Sequence, residues 1–581
     1  MEHHQIKYGD RVFDASEYQD AIFDAVVHDS CNILISAAAG ASKTTTMIKC
    51  MELIDRSQKI LYVAFNKEIV ESIKSKIEGL YNVNVSTFHS LGYRMLRRHL
   101  GITPQIADFK YSSYIQQNLE VLSENADQFI GMRSGRREKY ASTVMELVNM
   151  ARYHMLFRPA EIKEKADAMG ITVISDEHAV SARVLSWGRA NTDTIDYTDM
   201  IWLPNVLNFY DRSFMYDWVM VDESQDTSVT EQMMVSKCFG RGCRFICCGD
   251  KKQQINIWCG ADEEALKKFS EIANTVEFEL PVSYRCPVAV TRLAQEYSPM
   301  MKHAEWAEEG AVYYDADISD PEDGDMVLCR MTAPLVSLYY SYMDMGVKSY
   351  MKGSSDVLSR YVSLVENTDS DIVNGGSSEE GTVMHELYER LLGMIAGIMK
   401  KHGIDDGEAM KSMEVATMYD SIQALMVMSR GIALKYELID RIREVFGGEE
   451  GGGIMLSTVH RAKGLEADNV YILCPSMLPN PFAKLPWEIE TERNLTYVAY
   501  TRAKKTLSFI SEEDTPSESV VKMKDMIRMI RDTFGYGEDY TPNGQDIFGL
   551  LTKKKPASDS GAAGQKGHGS KMKSRIGRFL S

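Results

Sequence analysis

The chain has 581 residues, with 65 Lys and Arg against 83 Asp and Glu, for a formal net charge of −18. At roughly 100–200 residues per domain, that length implies about four domains and a core large enough to need no disulfide or metal staples. No apolar run approaches the ~20 residues needed to cross a bilayer and Met1–Asp10 is polar, so the expectation is a cytoplasmic protein with no membrane partner. The acidic balance does not exclude a polyanionic partner, because whole-chain charge does not say where the basic residues lie. The ten cysteines are scattered, without a paired C-x-x-C array, and read as reduced, buried thiols rather than zinc ligands.

Short apolar runs bounded by turn residues recur at Asn32–Ser36, Ile60–Phe65, Trp218–Val221, Phe245–Cys248, Met326–Cys329, Ile454–Ser457 and Val470–Cys474. Helical patterns separate them, which predicts an α/β fold with parallel sheets and crossover helices. The runs form two blocks that divide near Leu280, so two cores are expected, each interrupted by a mainly helical insertion. The predicted divisions are 1–93 with 192–280 for the first core and 94–191 for its insertion. For the second core they are 281–353 with 447–540, and 354–446 for its insertion. Gly447–Gly453 holds five glycines around Glu449 and Glu450 and reads equally as a hinge or a surface loop. Residues 553–581, with eight Lys and Arg against the single acid Asp559, read as a disordered basic tail.

After the first apolar run comes Ala37-Ala38-Ala39-Gly40-Ala41-Ser42-Lys43-Thr44, followed by a helical pattern. A strand, a loop of small residues, Lys-Thr and a helix together make a phosphate cradle. Backbone N–H groups and the helix N-terminus face the anion, Lys43 reaches the β/γ-phosphates and Thr44 ligates magnesium. Ser42 stands where glycine usually precedes the lysine; if that position needs a positive φ, its Cβ costs about 1 kcal/mol. Further along, Trp218-Val219-Met220-Val221 delivers Asp222 and Glu223 at a strand end, where ligand sites of such sheets lie. Asp222 suits a magnesium held through water, and Glu223 suits the orientation and deprotonation of an attacking water. The next strand leads to Gln253, placed to sense a γ-phosphate, and to Trp258, placed to stack on a base.

In order, these motifs resemble those of superfamily 1A DNA helicases of the UvrD/Rep and F-box DNA helicase type, over most of the chain outside the insertions and the tail. Tyr18-Gln19 resembles the adenine-reading glutamine motif. Ala64-Phe65-Asn66-Lys67 and Ser86-Thr87-Phe88-His89-Ser90-Leu91-Gly92 are similar to the two first-core motifs that touch single-stranded DNA, and Asp196–Ile201 to the segment before the acidic motif. Leu280–Arg285 is similar to the fourth motif, which implies adenine stacking by Tyr284 and a γ-phosphate contact by Arg285. Ser457–Glu466 is similar to the fifth, and Glu492–Ala503 to the sixth, which implies a second arginine finger at Arg502. The resemblance implies two RecA-like cores and nucleotide contacts at Gln19, Ala39, Gly40, Ala41, Ser42, Lys43, Thr44, Thr45, Tyr284 and Glu466. It implies DNA contacts at Phe65, Asn66, Thr87, His89, Trp258, Thr458 and His460. The implied activity is ATP- and Mg2+-dependent movement 3′ to 5′ on single-stranded DNA, with unwinding of forked duplexes in replication, repair or recombination.

Asn256 and Cys259 depart from the usual third motif, where an aromatic and an arginine stand. Arg133, Arg136, Arg137 and Lys139 read as a solvated charged face or a duplex contact. The methionine-rich second insertion, with Met410/Met413 and Leu425/Met428 at i, i+3, reads as helical core. The apolar Ile576, Phe579 and Leu580 near the end of the basic tail suit docking on a sliding clamp or single-strand-binding protein. Rival readings are a non-catalytic DNA scaffold disabled at Ser42, a helicase–nuclease fusion, for which the part after Arg502 is short and basic, and a filament-stripping translocase that unwinds poorly. The compact length and modest insertions suit a phage or other mobile-element enzyme.

Overall fold

The computed structural model describes residues 4–8, 11–129, 134–353, 355–373, 381–402, 404, 406–447 and 452–511. Its frame is two six-stranded sheets with every neighbouring pair parallel. Across the first sheet the strands run Thr275–Leu280, Asn32–Ala37, Phe239–Gly249, Tyr216–Val221, Ile60–Ala64 and Val83–Thr87. Across the second they run Ala311–Ala316, Ala503–Ile510, Ala467–Leu473, Met326–Cys329, Ile454–Thr458 and Ser349–Met351. Parallel strands covered on both faces become continuous apolar runs, and Ile60–Ala64 and Met326–Cys329 are buried at every position. Edge strands lack that signature. Thr275–Leu280 and Ala311–Ala316 are buried only at their last residue, so composition alone does not reveal them. The inner strand Ala503–Ile510 is masked in the sequence by Lys504 and Lys505 at its start.

Helical insertions lie between the strands of both cores. The first comprises Lys110–Leu122, Ser134–His154, Pro159–Ala168 and Glu177–Ala190, and helix Phe88–Leu100 runs across the expected division at residue 93. In the second are Ser355–Glu366, Val383–His402, Asp406–Ala409, Met413–Met428 and Lys435–Gly447. Met410, Leu425 and Met428 are buried in the apolar cluster that joins this insertion to the second sheet, whereas Met413 is half-buried against the small cluster of Ala416, Met477 and Phe482. Residues 448–451 of the glycine run and the tail beyond 511 lie outside the described residues, as does Arg133, and nothing is described of the Arg136 side chain. Arg137 is paired with Glu120 at 2.8 Å. Of the ten cysteines seven are buried, but Cys259 is exposed and Cys243 and Cys474 are half-buried, against the expectation of burial throughout. No described helix is long and apolar enough to cross a membrane.

A buried ionic cluster fastens the first insertion to its core. Arg152 donates to both carboxylate oxygens of Asp196 at 2.8 Å and to Asp199 at 3.2 Å, while Lys110 and Tyr111 donate to Asp199 at 2.7 and 2.6 Å. Asp196 also caps helix Tyr197–Val206, accepting from the Asp199 N–H. Two cations and two anions balance here away from water, so removing one partner strands a charge, at a cost of about 3–5 kcal/mol. Arg152→Met is therefore expected to destabilise the protein by about 3 kcal/mol or more in urea denaturation. A loss below about 1 kcal/mol would show that the cluster does not hold the insertion.

Candidate nucleotide and nucleic-acid site

Three adjacent strands in the middle of the first sheet deliver their loops to one edge. Asn32–Ala37 leads into residues 38–42, Tyr216–Val221 into Asp222 and Glu223, and Phe239–Gly249 into Asp250–Gln253. The loop ends on helix Lys43–Leu53, whose start carries no side-chain cap. Helices Glu17–His28, Lys67–Lys76 and Phe88–Leu100 are capped by Ser16, Asn66 and Thr87. The uncapped N–H groups, with the positive end of the helix dipole, suit an anion. Ser42 has φ 57° and ψ 35°, the left-handed conformation that the sequence comparison with glycine anticipates. Its carbonyl accepts from the Thr46 N–H at 3.0 Å and the Thr46 hydroxyl at 3.1 Å.

Lys43 Nζ lies 3.4 Å from Glu223 Oε1. Burial opposes the Lys43 charge, but Glu223 and Asp250 outweigh it and hold the ammonium above its ordinary range. Burial likewise favours neutral Glu223, yet Lys43, Lys463 and the Gln225 amide, which donates at 2.6 Å, hold its carboxyl down at about 2. Asp222 goes the other way: burial and the adjacent Glu223 push it up, despite a 2.6 Å hydrogen bond from the Tyr62 hydroxyl. A divalent cation at this edge would relieve both causes. Asp222 and the half-buried Thr44, whose hydroxyl has no partner among the described residues, are the donors that could hold one, so the residues present fit magnesium. The Gln253 amide donates to Asp250 at 2.7 Å, one strand away from the loop.

The second core closes this edge. Strand Thr275–Leu280 pairs with Asn32–Ala37 in register Leu280↔Ala37, so the segment that follows it emerges beside the loop. There the Tyr284 N–H donates to the Gly40 carbonyl at 2.9 Å. A Cβ on Gly40 would stand 2.7 Å from Arg285 Cβ and Ser283 Oγ, so that approach needs glycine. Tyr497, on helix Pro486–Tyr500, accepts from the Ala39 N–H at 2.9 Å. Lys463 donates to Asp226 and, at 2.7 Å, to the Gln253 carbonyl, and Asn494 donates to the Gln254 carbonyl at 2.9 Å. Arg285 pairs with Glu466 at 2.6 Å. Arg502, 1 % exposed, donates to the carbonyls of Val498 and Leu465 and to the Thr501 hydroxyl, all uncharged. Burial first, then the like charge of Arg285, drops its guanidinium to about 10, while Glu223 partly offsets them. Arg502 is thus within electrostatic reach of Glu223, and Arg285 lies against the loop beside Gly40.

The remaining expected contacts sit in varied surroundings. The Gln19 amide is 3 % exposed and engaged at both ends: Oε1 accepts from the Ser16 N–H and hydroxyl, and Nε2 donates to Thr46 Oγ1 at 3.0 Å. It braces the start of its own helix against the loop helix, and reading a base edge would require exchanging those bonds. Thr46, not the neighbouring Thr45, makes the side-chain bonds of that helix turn. The Thr87 hydroxyl is buried and spent on capping the next helix, and Asn66 caps another. Phe65 and Trp258, 47 % and 61 % exposed, present aromatic faces to solvent beyond the strand ends. His89 packs edge-on against Tyr197, burial lowering its pKa. His460 is pushed down to about 3 by burial and by Arg330 and Arg461, so at neutral pH it is an uncharged hydrogen-bonding group. Thr458 ends its strand half-buried, two residues before it. Sequence reading missed Tyr497 and Lys463 as cross-core contacts, because neither a phenol nor a lysine inside a longer string signals its distant partner.

The description "UvrD/REP helicase N-terminal domain" matches residues 18–274, and "UvrD-like helicase C-terminal domain" residues 251–514. Among curated proteins, ATP-dependent DNA helicase PcrA of Bacillus subtilis is 26% identical over 45% of this chain and 37% of its own length. A probable DNA helicase II homolog of Rickettsia felis is 20% identical over 83% of this chain and 90% of its own. PcrA of Staphylococcus aureus is 24% identical over 45% and 37%. The chain thus covers little more than a third of the PcrA proteins' length in these matches.

The left-handed Ser42 yields a direct test. Ser42→Gly is expected to leave stability unchanged or raise it by up to about 1 kcal/mol, and Ser42→Val to lower it by about 2 kcal/mol, in denaturant melts. Equal stability of the two variants would contradict the loop conformation.

Proposed function

The chain belongs to the UvrD-like helicases, and from that premise we propose that it is an ATP-driven, magnesium-dependent motor that moves 3′ to 5′ along single-stranded DNA and unwinds duplexes ahead of it. The observation that carries the reading is the seam: lysine and acids from one core meet two arginines of the other across a loop that both cores contact. No single core holds the full set.

In this reading the loop N–H groups and Lys43 bind the phosphates of ATP, and Thr44 and Asp222 hold magnesium, which would supply charge neutralisation at the phosphates. Glu223, held near 2 while paired with Lys43 and near the charge of Lys463, positions the attacking water rather than stripping its proton beforehand. Arg285, released from Glu466, and Arg502, whose acceptors among the described residues are neutral, stabilise charge on the transferred phosphoryl group. Their engagement draws the cores together and product release frees them, so the cleft opens and closes once per turnover. Phe65 and Trp258 stack on bases, with His89, Thr458 and His460 beside the strand, while Asn66 and Thr87 shape the segments that present them. The direction of travel, the forked substrate, the roles in replication, repair or recombination and the cytoplasmic site rest on the resemblance of the motifs and on the sequence; the relatives' names support a DNA helicase. Docking on a sliding clamp or single-strand-binding protein rests on the sequence of the tail, which lies outside the described residues. Against the scaffold reading stands the loop itself, which holds Ser42 in the left-handed conformation that glycine would adopt there.

Lys43→Ala and Glu223→Gln are each expected to lower DNA-stimulated ATP hydrolysis by about 100-fold or more while single-stranded DNA binding stays within about threefold. The wild-type protein should unwind duplexes bearing a 3′ overhang and spare those with a 5′ overhang. Hydrolysis at the wild-type rate in either variant would overturn the site, and the opposite overhang preference would overturn the direction.

A further inference from the structure

Trp306 is 71 % exposed and belongs to none of the apolar clusters, so burial does not explain it. Its one ring partner among the described residues is Tyr284, with centroids 6.2 Å apart and planes 29° from parallel. The backbone sets up that meeting. Val282–Ser283 pairs in parallel with Lys302–His303, Lys302 donating to the Pro281 carbonyl at 2.8 Å and Ala304 to that of Ser283 at 3.2 Å. The turn closed by Ala307 N–H to the Ala304 carbonyl then brings the indole over the phenol ring. On the same loop, Lys302 Nζ donates to the hydroxyl of Tyr18, on the first core, at 2.6 Å. The Tyr284 backbone is itself bonded to Gly40 of the phosphate loop.

We propose that Trp306 is a positioning residue for the nucleotide base: it covers one face of Tyr284 and holds the ring so that its other face stacks on the adenine. The inference rests on Tyr284 being the base-stacking residue. A phenol attached at a turn has free rotation about its side-chain bonds, and an aromatic partner on one face removes much of that freedom before the base arrives. The indole therefore acts on affinity for nucleotides that carry a base, and not on the phosphates. Because Trp306 is largely exposed, its removal leaves folding intact.

The test is calorimetric binding of ADP to the full chain in wild type, Trp306→Ala, Trp306→Phe, Tyr284→Ala and the Trp306→Ala/Tyr284→Ala double variant. Tripolyphosphate, which has no base, serves as a second probe. Trp306→Ala is expected to weaken ADP binding about two- to tenfold, the range that loss of one aromatic pair supports. Trp306→Phe restores most of it, tripolyphosphate binding is unchanged, and in steady-state hydrolysis KM for ATP rises while kcat holds within about twofold. In the Tyr284→Ala background, Trp306→Ala adds nothing. Wild-type ADP binding by Trp306→Ala, beside weakened binding by Tyr284→Ala, would overturn the Trp306 assignment alone. An equal loss in both backgrounds would mean that the indole meets the base itself, overturning the positioning role. Unchanged binding in Tyr284→Ala would overturn the base-stacking reading and the Trp306 assignment with it.

Discussion

Everything at the site depends on the phosphate loop being a shared surface of two cores. The loop is built by the first core, but the Ala39 N–H is bonded to Tyr497 and the Gly40 carbonyl to Tyr284, both from the second. The packing agrees: one apolar cluster runs from Ile33 and Ala39 through Cys286 and Val290 to Tyr497. A small side chain is needed wherever a backbone must come this close, and Gly40 has no room for even a methyl group. A change in what the loop binds is therefore felt by both lobes.

Charge at the seam is arranged asymmetrically. The acidic side carries Lys43 from its own core and receives Lys463 from the second, and together they hold Glu223 ionised. On the arginine side, Arg285 is matched by Glu466, while Arg502 lies buried among neutral acceptors with Arg285 disfavouring its charge. A buried guanidinium without a carboxylate partner is costly, and an incoming polyanion lowers that cost. Under the proposed function this would give a physical reason for the lobes to close on a triphosphate, with Arg285, able to exchange Glu466 for phosphate, as the group through which closure would be sensed. On the other side of the site, Gly260 lies against the Tyr153 ring of the first insertion, two residues beyond exposed Trp258.

The fold was legible where physics leaves a strong local mark. Central strands such as Ile60–Ala64, buried on both faces, are plain in the sequence; edge strands such as Thr275–Leu280, and Ala503–Ile510 with its leading lysines, are not. At the site, Lys43, Asp222 and Glu223 stood out because strand ends, small residues and paired acids have a chemical meaning at fixed spacing. What could not be read were the partners. Gln19 answers to Ser16 and Thr46, Thr87 to the helix it caps, and Tyr497 and Trp306 to residues 458 and 22 positions away. Side chains with two competing uses, capping or contact, are decided by tertiary packing.

The most direct measurement is single-turnover ATP hydrolysis by Arg285→Ala bound to single-stranded DNA, with ADP affinity determined on the same preparation. If the second core completes the site, hydrolysis falls by about 100-fold or more while ADP binding changes only a few-fold, because the guanidinium acts on charge that develops in transfer. Hydrolysis at the wild-type rate in that variant would contradict a site shared between the two cores.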